Sequence, residues 1–381
     1  MTISNIEDLR KSASRKLPGM FFDYIDGGAF GEYTLARNTA DFNQWWLEQR
    51  VMVDVSKVDL STRFLGNDHA LPVMLAPVGF AGMFWPNGEI CAAGAAADAG
   101  IPMGLSTFSI NSLEEVAQAH PAVQLALQLY VFRDRSLAED LIGRALACGV
   151  HTLILTADTD VSSIRERDSR NGFRTASRLS WQAMLDIATS PGWCLRMAGH
   201  HRPQLGNVKN KPGVPDGLMS QASYLSRNVD PSMAWVDLAW LRSRWTGKLV
   251  IKGILSVKDA EKAIEAGVDA IVVSNHGGRQ LDGARSSISA LPDIATYVDG
   301  RVEVLFDGGV RRGSHIIKAL ALGADAVLLG RAFAYGLASG GREGVNQALT
   351  LLRTEAEITL ALMGITSIEQ LRQQRAEIIS R

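Results

Sequence analysis

Apolar residues along this chain gather into eight short runs, 73–76, 102–105, 125–130, 152–156, 249–252, 270–274, 302–306 and 326–329. Continuous rather than alternating runs suit strands buried on both faces of a parallel sheet. Helical spacing fills most of the intervals, as over 137–148, 257–266 and 314–322. Eight strand–helix units predict a closed (β/α)8 barrel. The competing architecture is an open doubly wound sheet, but no run leads into the GxGxxG turn of a dinucleotide-binding version.

A barrel of this kind carries its chemistry at the C-terminal ends of its strands, and polar residues fall there. The first run is followed by Pro77-Val78-Gly79 and the second by Ser106-Thr107; the third ends in Gln128-Leu129-Tyr130. The fourth gives Thr156-Ala157-Asp158 and the fifth Lys252-Gly253. The sixth gives Ser274-Asn275-His276-Gly277-Gly278-Arg279-Gln280-Leu281-Asp282. Asp307-Gly308-Gly309-Val310-Arg311-Arg312-Gly313 follows the seventh run, and Gly330-Arg331 the eighth.

The rhythm predicts one domain over 1–381. It divides into an N-terminal helical extension (1–70), a barrel (71–355) with an insertion at about 174–230, and a C-terminal helical segment (356–381). Roughly ninety residues separate the fourth and fifth runs, far beyond a usual connection. Between Arg174 and Pro215 stand six Lys/Arg and one acid, Asp186, and Trp181, Met184, Leu185 and Ala188 share a helical face with Trp193 beyond. Such a basic amphipathic element fits a membrane surface; an active-site lid or a subunit contact is the plainer alternative. Ser4-x-x-Glu7 has the form of a helix capping box, and Glu7, Asp8, Arg10 and Lys11 interrupt any signal-peptide core. Residues 71–88 carry no charge, but Pro72, Pro77 and Pro86 spoil them as a membrane span.

Composition narrows the class. Hydrophobic residues make up 46% of the 381 and charged residues 21%, enough apolar material for a large core. Lys+Arg (39) nearly balances Asp+Glu (40), which argues against general nucleic-acid binding. Cys91, Cys148 and Cys194 are too few and scattered for a disulfide framework or a metal site. That usage predicts a cytoplasmic protein, peripheral on the inner face of the cell membrane if the basic element binds lipid.

The strand ends suggest the chemistry. His276 can move a proton near neutral pH, and Arg279 can grip a carboxylate with two parallel hydrogen bonds. Asp158 is a candidate to hold the second ring nitrogen of His276. Arg165, in the charge cluster Arg165-Glu166-Arg167-Asp168, is a candidate second carboxylate ligand. Loops after the seventh and eighth strands of such barrels frequently bind phosphate, which nominates Asp307, Gly308, Gly309, Arg311, Gly330 and Arg331. Lys252 ends a buried strand and needs a partner, either an ordinary salt bridge or a ring that becomes anionic on reduction. With Ser106, Gln128 and Thr156 beside it and a phosphate site nearby, the set suits flavin mononucleotide.

These motifs resemble the FMN-dependent α-hydroxy-acid dehydrogenases and oxidases over essentially the full length. The segment from Ser274 to Asp282 carries the family signature, and Tyr24-Ile25-Asp26-Gly27-Gly28-Ala29, Gln128-Leu129-Tyr130, Lys252-Gly253 and Asp307-Gly308-Gly309 agree with it. The resemblance implies oxidation of an L-2-hydroxy acid, of the (S)-mandelate or L-lactate type, to the 2-keto acid. It makes His276 the base, oriented by Asp158. Tyr24, Arg165 and Arg279 would hold the carboxylate, with Tyr130 at the substrate. Lys252 would stand at the ring, and Ser106, Gln128, Thr156 and Ser274 with backbone at Pro77, Val78 and Gly79 would hold it. It also implies a homo-tetramer and a quinone or similar electron acceptor. An O2-using oxidase and a non-redox FMN isomerase are the alternatives. Gly79 is similar to the dehydrogenases, where oxidases tend to carry alanine, and Phe108 is bulky enough to narrow the space for the substrate side chain.

Overall fold

The computed structural model describes residues 2–173, 181–199 and 203–381. Eight parallel strands close into a barrel: β1 (Val73–Leu75), β2 (Met103–Ser106), β3 (Leu125–Leu129), β4 (Thr152–Thr156), β5 (Lys248–Ile254), β6 (Ala270–Val273), β7 (Glu303–Phe306) and β8 (Ala326–Leu329). They follow one another around the ring in chain order, and β8 pairs with β1. The expected runs therefore survive with one- or two-residue changes at their ends.

Two apolar cores explain why the runs do not alternate. One face of each strand packs on the outer helices. The other fills the barrel with Met74, Ala76, Ala126, Ile154, Val250, Val272, Leu305 and Leu328. Phe64 and Leu65, from a hairpin of Thr62–Phe64 and Asn67–His69, join that inner cluster and plug its lower end.

The N-terminal extension is helical only as far as Gln44, with helices Ile6–Lys16, Gly19–Asp26 and Tyr33–Ala40 followed by a 3-10 turn. Beyond it, Trp46–Leu47 pairs antiparallel with Ile379–Ser380, which ties the chain's two ends together. The last barrel helix runs from Arg331 to Leu362, kinked at Gly340 and Gly341, and so crosses the expected boundary at 356. The first helix is capped one residue later than Ser4: Asn5 Oδ1 accepts the Asp8 N–H, and Asp8 Oδ2 accepts the Ser4 N–H. Asn5, with extended backbone directly before the first turn, takes the capping position in place of Ser4.

In the insertion, Trp181–Ala188 and Pro191–Met197 are helices, and Leu218–Asn228 is a third. Trp181, Met184 and Leu185 face outward as expected. Trp193 does not share that face. It is buried, donates from Nε1 to the Met83 carbonyl at 2.9 Å, and packs 5.3 Å from Phe21. Its indole anchors the insertion to the barrel mouth. Arg174, Arg178 and Arg202, three of the six basic residues of this stretch, lie outside the described residues. No helix among the described residues is long and apolar enough to cross a membrane.

Candidate active site

Strand register assembles the site. Ser106 pairs with Gln128 across β2–β3, and Thr156 pairs with Lys252 across β4–β5, so four polar side chains meet at one level of the barrel. Gln128 Nε2 donates to Thr156 Oγ1 at 3.0 Å, and Ser106 Oγ donates to Gln128 Oε1 at 3.2 Å. At Gly253 the β5–β6 register slips, and the backbone takes φ +109°. Such an irregularity re-aims the side chain beside it, here Lys252. Glycine is required there: a Cβ on Gly253 would stand 2.7 Å from Cβ and Cγ of Asp158.

The resulting cavity encloses about 1260 Å³ of empty space, its open mouth included. Its lining brings together Tyr24, Pro77, Val78, Gly79, Ser106, Phe108, Gln128, Tyr130, Thr156, Arg165, Lys252, His276, Arg279, Asp307, Gly308, Gly309, Arg311, Gly330 and Arg331. Asp158 and Ser274 stand behind that lining. Asp158 Oδ1 lies 2.9 Å from His276 Nδ1, while Ser274 Oγ accepts from both Lys252 Nζ (2.9 Å) and the His276 N–H (3.0 Å).

His276 sits at φ +57°, a turn that carries its ring back over the barrel. Burial pushes the imidazole below its ordinary value, against the pull of Asp158. Burial also opposes the Asp158 carboxylate, but attraction to His276 and their hydrogen bond outweigh it and hold Asp158 below the usual range. The pair is therefore a neutral imidazole on a carboxylate. With Nδ1–H given to Asp158, Nε2 carries the lone pair.

Both arginines of the expected carboxylate clamp reach the cavity. Arg279 Nη1 donates to the carbonyls of Tyr24 (2.6 Å) and Gly27 (2.9 Å), and its guanidinium lies 4.8 Å over the Tyr24 ring. Arg165 Nη1 stands 3.8 Å from Asp168. The helix carrying Tyr24 is fixed further by Asp26, which accepts from Arg10, Arg167 (2.9 Å) and Tyr335 (2.8 Å). Phe108 meets Tyr130 edge-on at 5.4 Å and forms an aromatic wall. A Cβ on Gly79 would come within 3.0 Å of Phe108 and 3.3 Å of the Tyr24 hydroxyl.

The phosphate candidates divide. Gly309 and Gly330 leave open backbone at the cavity, although Gly309 is glycine for packing as well: a Cβ there would strike the Asn38 carbonyl at 1.9 Å. Arg331 gives Nε to Ile25 O and Nη1 and Nη2 to Gly277 O and Gly27 O, each at 2.8 Å, and burial lowers it to about 10. Asp307 pairs with Lys252 at 2.9 Å instead of facing an anion. Thr159, Ser162, Ser226, Val229 and Gln280 also line the cavity, unanticipated from sequence. Gln280 lay within the signature and carried a usable signal. Ser226 and Val229 arrive from the far end of the insertion and carried none.

A barrel-mouth cavity with a row of polar side chains, glycine backbone and a histidine fixed by a carboxylate has the form of a site for a flat ring cofactor. The residues fit FMN: a row of donors and acceptors for a flat heterocycle, a lysine for its charge, and open glycine backbone with Arg311 and Arg331 for a phosphate. The FMN-dependent dehydrogenase family profile matches residues 13–378, and the chain belongs to that family, with FMN as its cofactor. It is 46% identical to an L-lactate dehydrogenase of Caulobacter sp. (strain K31), with 97% of each chain covered. It is also similar to the crystal structure of the monotopic membrane protein (S)-mandelate dehydrogenase, at 42% identity and TM-score 0.93 over 98% of this chain and 99% of that one. A soluble mutant of the membrane-associated (S)-mandelate dehydrogenase from Pseudomonas putida gives 39% identity and TM-score 0.85 over 100% and 99%.

Proposed function

We propose that this dehydrogenase oxidises an L-2-hydroxy acid of the (S)-mandelate or L-lactate type to the 2-keto acid and passes the electrons to a quinone or similar acceptor. The observation that carries the reading is His276, with Nδ1 2.9 Å from Asp158 Oδ1, sharing one cavity with Arg165 and Arg279. FMN, when bound, supplies the two-electron acceptor. Arg279, Arg165 and Tyr24 hold the substrate carboxylate and so fix the 2-carbon relative to His276. Nε2 of His276 takes a proton from that centre, from the hydroxyl or from Cα. Asp158 holds the ring orientation and stabilises the imidazolium that forms. Tyr130 supports charge developing on the substrate, and Lys252, held above its ordinary value by Asp307 despite burial, remains a cation at the cofactor.

Anaerobic mixing of the yellow holoenzyme with L-lactate, (S)-mandelate and glycolate in turn tests this. Bleaching by L-lactate or (S)-mandelate is expected, with no reaction of the D or (R) isomers. A yellow protein that none of the three bleaches rules the reading out. The aromatic wall of Phe108 and Tyr130, with Ser226 and Val229 nearby, is where the substrate side chain is sorted.

Peripheral membrane contact through 174–215 is part of the same proposal. Trp181, Met184, Leu185 and Leu195 are 66%, 53%, 55% and 77% exposed, an unusual density of large apolar groups for an aqueous surface. The protein is expected to sediment with anionic vesicles at low salt, and less so as a Trp181→Ser/Leu195→Ser pair; failure of the intact protein to sediment removes this part. Exposed Val51, Met52 and Leu362 support contact between copies in a homo-tetramer, which a solution mass would measure.

A further inference from the structure

Asp307 opens the loop expected to bind phosphate, yet a carboxylate repels an anion. Its partner is elsewhere. Oδ2 lies 2.9 Å from Lys252 Nζ, with both residues buried, and the ammonium also donates to Ser274 Oγ at 2.9 Å. Asp307 Oδ1 is buried without a hydrogen-bond partner among the described residues. The backbone then turns away at Gly308 (φ +111°), where a Cβ would strike Ser287 Oγ at 2.7 Å, so the loop is held in place around the carboxylate.

We propose that Asp307 is the counter-ion of Lys252. It is a positioning residue that fixes the ammonium and sets how much of its positive charge the flavin ring experiences, and it is not part of the phosphate site. This rests on the FMN reading above. A reduced flavin carrying negative charge is favoured by net positive charge beside it. A carboxylate in contact with the ammonium turns a bare charge into a dipole, whose field falls off faster. Removing the carboxylate leaves Lys252 beside Ser274 and within reach of Asp158, both of which favour its charged form.

The experiment uses purified holoenzyme with Asp307→Asn, Lys252→Met and the double substitution. The readouts are FMN affinity, the FMN midpoint potential, and the affinity for sulfite, which adds to oxidised flavin and leaves the ring negative. Asp307→Asn is expected to keep FMN bound, move the midpoint potential upward, and tighten sulfite by roughly tenfold or more, as a unit charge a few Å away in a partly buried site does. In the Lys252→Met background the same change is expected to do less, because Asp307 then has no ammonium within contact whose charge it offsets. An unchanged or lowered potential, or an equal shift with and without Lys252, overturns the proposal. So does a folded Asp307→Asn protein that no longer binds FMN, which would make Asp307 a binding group. If Asp307→Asn does not fold, Asp307→Ser carries the same test. If the wild-type chain binds no FMN, the cofactor assignment fails, and that result is distinct from a failure of the Asp307 role alone.

Discussion

Replacing His276 by Asn is expected to slow FMN reduction by the hydroxy acid roughly 10²–10⁴-fold, the range a positioned base contributes, while FMN stays bound. Asparagine is the sharper variant because residue 276 sits at φ +57°, which asparagine tolerates better than most residues. The amide also keeps a donor toward Asp158, so a loss of rate reports the missing base and not a collapsed turn. Stopped-flow reduction under anaerobic conditions measures it, and near-normal reduction would refute the assignment. The pH profile carries a second, signed expectation. His276 works as a base only when neutral, and burial holds it below its ordinary 6.5. The rate should therefore be flat through neutral pH and fall on the acid side, with a midpoint below 6.5. Asp158→Asn removes the anion that favours the imidazolium. Its midpoint should fall further, and its plateau should fall too, because the proton now arrives on an unsupported ring.

How much of this was legible in the sequence depends on whether a residue acts through its own strand or through a distant one. The barrel was readable because its strands are apolar on both faces, and the strand-end residues were readable because the fold gathers such ends. His276, Lys252 and the arginines line one cavity for that reason, with Asp158 directly behind His276. The bottom plug is not legible although Thr62-Arg63-Phe64-Leu65-Gly66-Asn67 holds a hairpin's glycine; only Phe64 and Leu65 enter the barrel, too few for a periodic signal. Trp193 lies beyond the helical stripe of Trp181, Met184, Leu185 and Ala188, and its anchoring role has no local signal: a break at Ser190 starts a new helix that turns the indole inward. Ser226 and Val229 reach the site because the isolated bridge between Phe132 and Val229 docks the end of their helix beside β3. Nothing local encodes that contact. The partner of Lys252 was legible only as a need: a buried ammonium requires an anion, and the choice of Asp307 waited on the β5-to-β7 geometry.

Arg279→Lys is expected to lower kcat/KM for the hydroxy acid about 10²–10³-fold, since truncating a buried charge-pair partner costs about 2–5 kcal/mol. The substitution keeps the charge and loses the shape. Among the described residues, both hydrogen bonds of Arg279 leave from Nη1, to the carbonyls of Tyr24 and Gly27. Those bonds satisfy the C-terminal end of the helix that presents Tyr24, and Nη2 and Nε remain for a carboxylate. One guanidinium thus does two things at once: it caps the helix and offers a planar pair of donors. A lysine has one nitrogen, which can cap or clamp but cannot hold the fork geometry that a carboxylate matches. Its loss should also let the Tyr24 ring drift from the cation now 4.8 Å above it. The effect should fall on substrate and not on cofactor: FMN affinity near wild type, weaker binding of carboxylate inhibitors, and partial recovery of rate on adding free guanidinium to Arg279→Ala. A variant that loses FMN and substrate binding together would show that Arg279 supports the fold of the mouth and not the clamp. Equal losses for a hydroxy acid and its methyl ester would show the same, because the ester has no carboxylate to lose.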